Sequence, residues 1–458
     1  MDYGILSLLP IVITLVIVFR YKNVFLALIN GIITASIIIA LYTQDYGVGI
    51  KALANVFADQ AVAMTTFFVL MSGAIMEVAK RSGGIDGLIY YCTQKRKIIR
   101  SGLGAQLLTF ILGLVLFVDA TSSIAVTSMV GKPFFKKYGI AQEKLALIAN
   151  STGSAVAWLI PFGGACALLT TFFAPVAANL GIQADPFSIV MQSVGFQFYT
   201  LALLAIILLS IVCGWDLGIS KTQNSAQKDH EIQFNQEKPT GLARYMLVPI
   251  VILVSLVFLI LMISGQGNLA VGNGSLAVFS AGILTLLITA IWFHLGKVVN
   301  VSTYIIWVIE GMKNMFELVL ILALAYAFGS LLTILQAAPY LAHFVYEVPA
   351  FLMPCAAFGL ATMIAYPTGT SGGTVALLVP ILVAIMYPLG VDARIILGAI
   401  VSGAVFGDQN SPISDSVILT SKMTEVGIME HVKTQMPYTF IAWIIAFIGY
   451  LSIGIIGG

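Results

Sequence analysis

Residues 138–161 read YGIAQEKLALIANSTGSAVAWLIP and residues 389–412 read LGVDARIILGAIVSGAVFGDQNSP, two stretches of one design 251 positions apart. Each opens on a glycine (Gly139, Gly390), turns small and polar at mid-length, and closes on a proline (Pro161, Pro412). Each follows an apolar stretch interrupted by a polar cluster: Asp119-Ala-Thr-Ser-Ser123 before the first, Thr368-Gly-Thr-Ser-Gly-Gly373 before the second. Paired, polar-interrupted hydrophobic segments in two halves of a chain point to the binding site of a transporter. Identities between the copies are few, so pattern and spacing carry the reading. The plainer alternative is two unrelated glycine-containing membrane helices.

Composition sets the solvent. Of 458 residues, 59% are hydrophobic and only 9% charged, which excludes an ordinary soluble domain. Apolar runs of about 20 residues recur, each long enough to cross a bilayer. The short alternating segments of a β-barrel are absent. The expected fold class is an all-α polytopic membrane protein. Residues 4–19 have no basic leader and no small-residue cleavage site, so they read as a first span rather than a removed signal peptide. Cys92, Cys166, Cys213 and Cys355 lie scattered in apolar sequence without CxxC spacing, which fits packing better than a disulfide or metal framework. The partner implied is the lipid bilayer, with neither nucleic acid nor an organic cofactor expected, and no enzyme activity.

About ten spans are expected, near 4–20, 24–43, 62–80, 140–180, 189–213, 245–265, 272–292, 303–336, 392–427 and 437–456. The apolar pieces 101–135 and 348–388 are too long for one span and are interrupted halfway; they read as re-entrant hairpins. With the N-terminus outside, 20 of the 22 basic residues fall on the cytoplasmic face, leaving only Lys51 and Arg394 outside. A simple span at 101–135 would instead move Lys132, Lys136 and Lys137 outside. The polar stretch 215–244 is then a cytoplasmic linker. Residues 1–214 and 245–458 share one order of elements in opposite orientation: three spans, a hairpin (101–135, 348–388), a long broken span (140–180, 392–427) and a final span. Such an inverted repeat is an architecture for alternating access in the plasma (inner) membrane.

Four irregular segments should meet near the midplane: tips 119–123 and 368–373, and helix breaks at 150–154 and 407–415. Backbone that is not helical survives at that depth only where protein or a water-filled cavity satisfies it. Freed carbonyls and hydroxyls are hard oxygen ligands suited to Na⁺, and half-helix N-termini offer N–H groups to a carboxylate. The candidate ion- and solute-binding residues are Asp119, Thr121, Ser122, Ser123, Asn150, Ser151, Thr152, Thr370, Ser371, Gly372, Asp408, Asn410, Ser411, Ser414 and Asp415. Asp408, Ser411 and Asp415 form one candidate Na⁺ set; Ser122 and Asn150 form another. A carboxylate deep in a membrane costs at least ~2.5 kcal/mol, which makes Asp408, Asp415 and Asp119 functional candidates. Capping of the break is their bland alternative. Glu77 reads as an interfacial partner of Lys80. No histidine falls clearly inside a span, and none is assigned chemistry. With carboxylates but no Lys or Arg in the membrane core, the site favours a cation, a proton or an amine-bearing solute.

The run Gly407-Asp-Gln-Asn-Ser-Pro-Ile-Ser-Asp-Ser416, followed by Glu430-His-Val-Lys-Thr-Gln-Met-Pro-Tyr438, resembles the NhaC-type Na⁺/H⁺ antiporter family of the ion transporter superfamily. The likeness is specific over about 405–440 and weaker through Asp119, Glu143-Lys-Leu145 and Asn150-Ser-Thr152. The resemblance implies inverted repeats with two hairpins, a homodimer, an elevator motion, and Asp408, Ser411, Ser414 and Asp415 as site residues. This chain departs from it at the first tip, where many relatives carry paired carboxylates and Asp119 is followed by Ala120, Thr121 and Ser122.

The function expected is ion-coupled secondary transport of a small organic solute such as an amino acid, with Na⁺ the leading coupling ion and H⁺ the other. The rival is Na⁺/H⁺ antiport without an organic substrate. A passive channel, the alternative of another class, fits an inverted repeat poorly.

Overall fold

The computed structural model describes residues 3–21, 23–54, 60–91, 101–117, 120–160, 164–218, 241–267, 272–337, 340 and 349–457. Its regular elements are all helices; no strand occurs among the described residues. Among the described residues, five helices are long and apolar enough to cross a membrane: Phe25–Thr43, Arg244–Ser264, Gly274–Leu295, Ala350–Thr368 and Ile428–Ile456. Three bent pairs bring the number to eight if each is one span. They are Gln142–Leu159 with Gly164–Asn179 at 43°, Pro186–Phe196 with Phe198–Val212 at 46°, and Val301–Asn314 with Val319–Ile334 at 48°. The expected spans 4–20, 62–80 and 392–427 are not among these eight, whereas Ala350–Thr368, expected as one arm of a hairpin, is; the third of them holds the polar helix Ala393–Asn410. That helix is buried along most of its length, so neighbouring helices, not lipid, meet its polar residues.

Helix boundaries follow the spacing of the two quoted stretches. Gly102 and Gln142 begin helices, and Met353 and Ala393, each 251 positions later, begin two more. Helices Gln142–Leu159 and Ala393–Asn410 also end at matching positions.

The second break lies inside the expected segment 407–415, at Pro412, whereas the first does not fall at 150–154. Residues 150–154 lie in unbroken helix, as do 407–410; the interruptions are after Leu159 and at 411–414. The breakers are the prolines. A residue before proline is forced out of helical geometry, and Ile160 (ψ 117°) and Ser411 (ψ 124°) are both extended. Inside the helix, Thr152 returns its hydroxyl to Ile148 O at 2.8 Å, so a polar residue there need not open the backbone.

Small residues let the helices approach closely. A Cβ on Gly403 would lie 2.3 Å from Phe358 O, and one on Gly407 2.6 Å from Tyr366 N, so Met353–Thr368 and Ala393–Asn410 touch backbone to backbone. On the other side, Gly113 receives Thr152 and Gly153 receives Ile124, joining Gly102–Val115, Ala120–Lys137 and Gln142–Leu159. Glu77 pairs with Arg81 at 2.6 Å rather than with Lys80, because Arg81 lies one turn away and also reaches Glu310 at 2.7 Å.

Candidate functional site

Met353–Thr368 and Ser371–Met386 are joined by two residues. Gly369 (φ +64°) is the left-handed cap of the first helix, a conformation glycine adopts without a Cβ penalty. Thr370 is the N-cap of the second and accepts from Gly373 N at 3.2 Å. Ser371 and Gly372 therefore stand in the first helical turn, where backbone N–H groups lack intrahelical partners.

One of those groups is used by Asp408. Ser371 N donates to Asp408 Oδ2 at 3.1 Å, and Ser414 Oγ donates to Oδ1 at 2.5 Å. The carboxylate is partly buried where the second turn meets the second broken helix. No cationic side chain pairs with it among the described residues. Ser414 in turn caps Asp415–Thr424 through Ser416 N at 3.2 Å. Trp158 Nε1, from the end of the first broken helix, donates to Ser371 Oγ at 3.3 Å. The two halves thus meet beside Asp408.

The remaining candidates divide. Ser411 is buried next to the break, its Oγ accepting from Ile413 N at 3.4 Å. Asp415 is exposed at the start of Asp415–Thr424, just past the turn Ser411–Ser414 that follows Ala393–Asn410. Asn410 is buried, donating to Phe406 O at 2.8 Å and accepting from Thr439 at 2.8 Å. Asn150 is likewise engaged: its Nδ2 meets Gln435 Oε1 at 3.0 Å and His431 Nε2 at 3.2 Å, while Oδ1 accepts from Ser154 at 3.1 Å. Ser151 accepts from Gln409 Nε2 at 2.9 Å. Ser123 reaches Gly113 O at 3.4 Å. Asp119 and the side chains of Thr121 and Ser122 lie outside the described residues.

The sequence reading missed the hub. Gln409 accepts from Tyr199 OH at 2.9 Å, donates to Ser151, and offers its backbone O to Gln435 Nε2 at 2.6 Å. His431 is fully buried, contrary to the expectation for histidines. The reason is that Ile428–Gly457 begins nine residues before the expected span at 437. The charges of Glu430 and Lys433 lie on its exposed side, whereas His431, Gln435 and Thr439 recur every four residues on the buried side. That four-residue polar recurrence was the available signal.

A bundle of apolar, kinked and closely packed helices around an unpaired carboxylate and a buried amide network defines a polytopic membrane transporter. The particular family follows from comparison: residues 167–455 match the model of the Na⁺/H⁺ antiporter family, and the chain belongs to that family. An uncharacterized protein of Haemophilus influenzae is 25% identical over 98% of this chain and 90% of its own. The malate-2H⁺/Na⁺-lactate antiporter of Bacillus subtilis is 34% identical over 33% of this chain and 32% of its own. In fold the chain is similar to the YdaH transporter of Alcanivorax borkumensis, with a TM-score of 0.64 and 14% identity, covering 88% of this chain and 87% of that one. The protein is thus a multi-pass membrane protein whose relatives are transporters.

Proposed function

We propose that this chain is an ion-coupled secondary transporter of a small organic solute, either amine-bearing, such as an amino acid, or monoanionic, with Na⁺ as the coupling ion. The observation that carries this is Asp408, a carboxylate beside Ser371 and Trp158 that is held by Ser371 N and Ser414 Oγ and has no cationic side chain on it among the described residues. Two hydrogen bonds orient such a group but leave its charge uncompensated, and a cation or proton supplies the rest. Ser411 and Ser414 add hard oxygen nearby. The name of the Bacillus subtilis relative, which joins Na⁺ and H⁺ to an organic acid, supports the solute and the ions.

The matched helix starts support an inverted repeat of residues 1–214 and 245–458 about the connector 215–244, with 101–135 and 348–388 as re-entrant hairpins and an elevator motion for alternating access. Lys132 and Lys136 pair with Glu425, and Lys144 pairs with Asp216, in keeping with a cytoplasmic face that gathers basic residues. On this reading the N-terminus is outside, and two copies make the working unit.

The test is flux in proteoliposomes. A sodium gradient should drive uptake of an organic solute, and Asp408→Asn should abolish the sodium dependence in a protein that still folds. A gradient that moves protons fully with no organic solute present would make the chain a bare Na⁺/H⁺ exchanger. Intact sodium dependence in Asp408→Asn would remove the site from Asp408.

A further inference from the structure

Gln409 follows Asp408 in the last turn of Ala393–Asn410, and its carbonyl has lost the donors a helix would give it. Pro412, three residues on, has no N–H, and Ile413 N, four residues on, turns to Ser411 Oγ at 3.4 Å. Gln435 supplies the missing donor, its Nε2 reaching Gln409 O at 2.6 Å. Gln409, Gln435, Asn150 and His431 are all 0% exposed, so bulk water does not stand in for these bonds.

A backbone oxygen can only accept, and that certainty orients every side chain that follows. Gln435 must turn its amide nitrogen to Gln409 O, which turns its Oε1 to Asn150 at 3.0 Å. Asn150 must then present Nδ2, whose second hydrogen meets His431 Nε2 at 3.2 Å. Ser154 Oγ, 3.1 Å from Asn150 Oδ1, is a hydroxyl and would suit either sense of that amide. His431 is selective. Its Nε2 faces a donor and has to carry a lone pair, which puts the ring proton on Nδ1. Nδ1 has no hydrogen-bond partner among the described residues, so among them Asn150 alone selects the tautomer.

We propose that His431 is a positioning residue for the Asp408 site, an acceptor that holds the Asn150 and Gln435 amides in the sense that ties down Gln409 O. The inference rests on the cation site proposed above. His431 and Gln435 stand one turn apart on Ile428–Gly457, so one face of that helix grips Asn150 of Gln142–Leu159 and Gln409 of Ala393–Asn410. Turning the two amides over would set Gln435 Oε1 against Gln409 O, oxygen to oxygen, and release the helix end from which the turn Ser411–Ser414 continues. Ser414 in that turn is the donor to Asp408 Oδ1. Loss of the ring acceptor removes the group that opposes this reversal.

The experiment measures binding of radioactive Na⁺ alone to the full chain in nanodiscs, with thermal melting alongside. His431→Leu removes the acceptor and should raise the half-saturating sodium concentration at least about fivefold, the worth of about one neutral hydrogen bond. His431→Gln can set its Oε1 near the place of Nε2 and should bring the value back to within about twofold of native. Tyr304→Phe breaks bonds to Leu286 O at 2.8 Å and Thr289 Oγ1 at 2.7 Å in a separate packing cluster, and should lower the melting temperature alone. NMR of the native chain labelled with heavy-nitrogen histidine, His431 being assigned by its absence in His431→Gln, should show Nδ1 protonated and Nε2 bare. That arm stands whether or not His431→Leu folds. Native sodium affinity in His431→Leu, no recovery in His431→Gln, an equal shift in Tyr304→Phe, or a proton on Nε2 overturns the proposal. Asp408→Asn separates the two levels. If it abolishes sodium binding while His431→Leu binds as native, the positioning role alone is wrong. If it leaves sodium binding intact, the cation site is wrong and the role falls with it.

Discussion

Replacing Gly369 by alanine tests whether the turn before Ser371–Met386 holds the Asp408 site in shape. Gly369 has φ +64°, and a Cβ there would lie 3.0 Å from Ile413 Cγ1, 3.0 Å from Ser414 N and 3.1 Å from Ile413 C. Two costs follow. The left-handed backbone costs an L-residue about 1–2 kcal/mol. The contacts with Ile413 and Ser414 are tighter than ordinary packing, and relief requires Ser414 to shift by a few tenths of an ångström. Ser414 is the residue that donates to Asp408 at 2.5 Å, and a hydrogen bond to a charged group is worth about 1.5–3 kcal/mol. The strain falls on folding, whereas half of that hydrogen bond lost, about 0.75–1.5 kcal/mol, lowers cation affinity about 4- to 13-fold. The control is Gly390→Ala. Gly390 has φ +89° but nothing within 4 Å of the added Cβ, so it carries the strain alone. Sodium-driven flux against sodium concentration, with thermal melting alongside, reads both terms. Gly369→Ala should raise the half-saturating sodium concentration at least about fourfold and lower the melting temperature, whereas Gly390→Ala should lower only the melting temperature. Equal effects of the two on sodium affinity would refute the reasoning, as would native affinity in Gly369→Ala.

Gln409→Leu removes two buried side-chain bonds and strands Tyr199 OH and Ser151 Oγ, so it should cost about 2–4 kcal/mol in a chemical-denaturation or melting assay. Lys144→Met keeps the aliphatic stem but loses the ammonium that is only 2% exposed and reaches Trp215 O at 2.7 Å, Ser210 Oγ at 3.1 Å and Asp216 at 3.1 Å. Asp216 can turn to water, so the expected loss is about 1.5–3 kcal/mol, and proteolysis should reach residues 215–218 sooner. Burial raises the Asp185 carboxyl above its ordinary 3.8, with backbone donors at Ser188, Phe187 and Gly274 offsetting only part. The stabilisation from the protonated form is therefore fully present at low pH and lost as pH rises through the raised folded value. Asp185→Asn, which keeps an acceptor for Ser188 N, should melt above the native protein at neutral pH and match it below about pH 3.8; a lower neutral melting point would reverse the assignment.

What the sequence disclosed and what it hid follow from the same physics. Membrane class was open to view because a lipid solvent demands apolar runs, and the spacing of 251 recurs in the helix starts Gly102 with Met353 and Gln142 with Ala393 even where identities are few. The first break was misplaced because small polar residues suggest disruption, whereas in a low-water layer a threonine or asparagine is satisfied without leaving the helix. Thr152 bonds Ile148 O, and Asn150 bonds Gln435. Pro161 was the better signal for the first break. The residue before a proline is pushed from helical geometry, and Ile160 is extended as Ser411 is before Pro412. Pro133, Pro175, Pro249, Pro367, Pro380 and Pro437 are nonetheless carried inside helices. The amide hub was hidden for a different reason. Gln409 is one of several polar residues in a motif, and nothing local distinguishes it from Asn410. Its importance comes from Tyr199, Ser151 and Gln435, which reach it from three other helices. A residue defined by long-range partners is legible only when the fold has brought them together. The one local trace was the recurrence of His431, Gln435 and Thr439, whose shared face could have been read as buried once Glu430 and Lys433 were assigned to the opposite one.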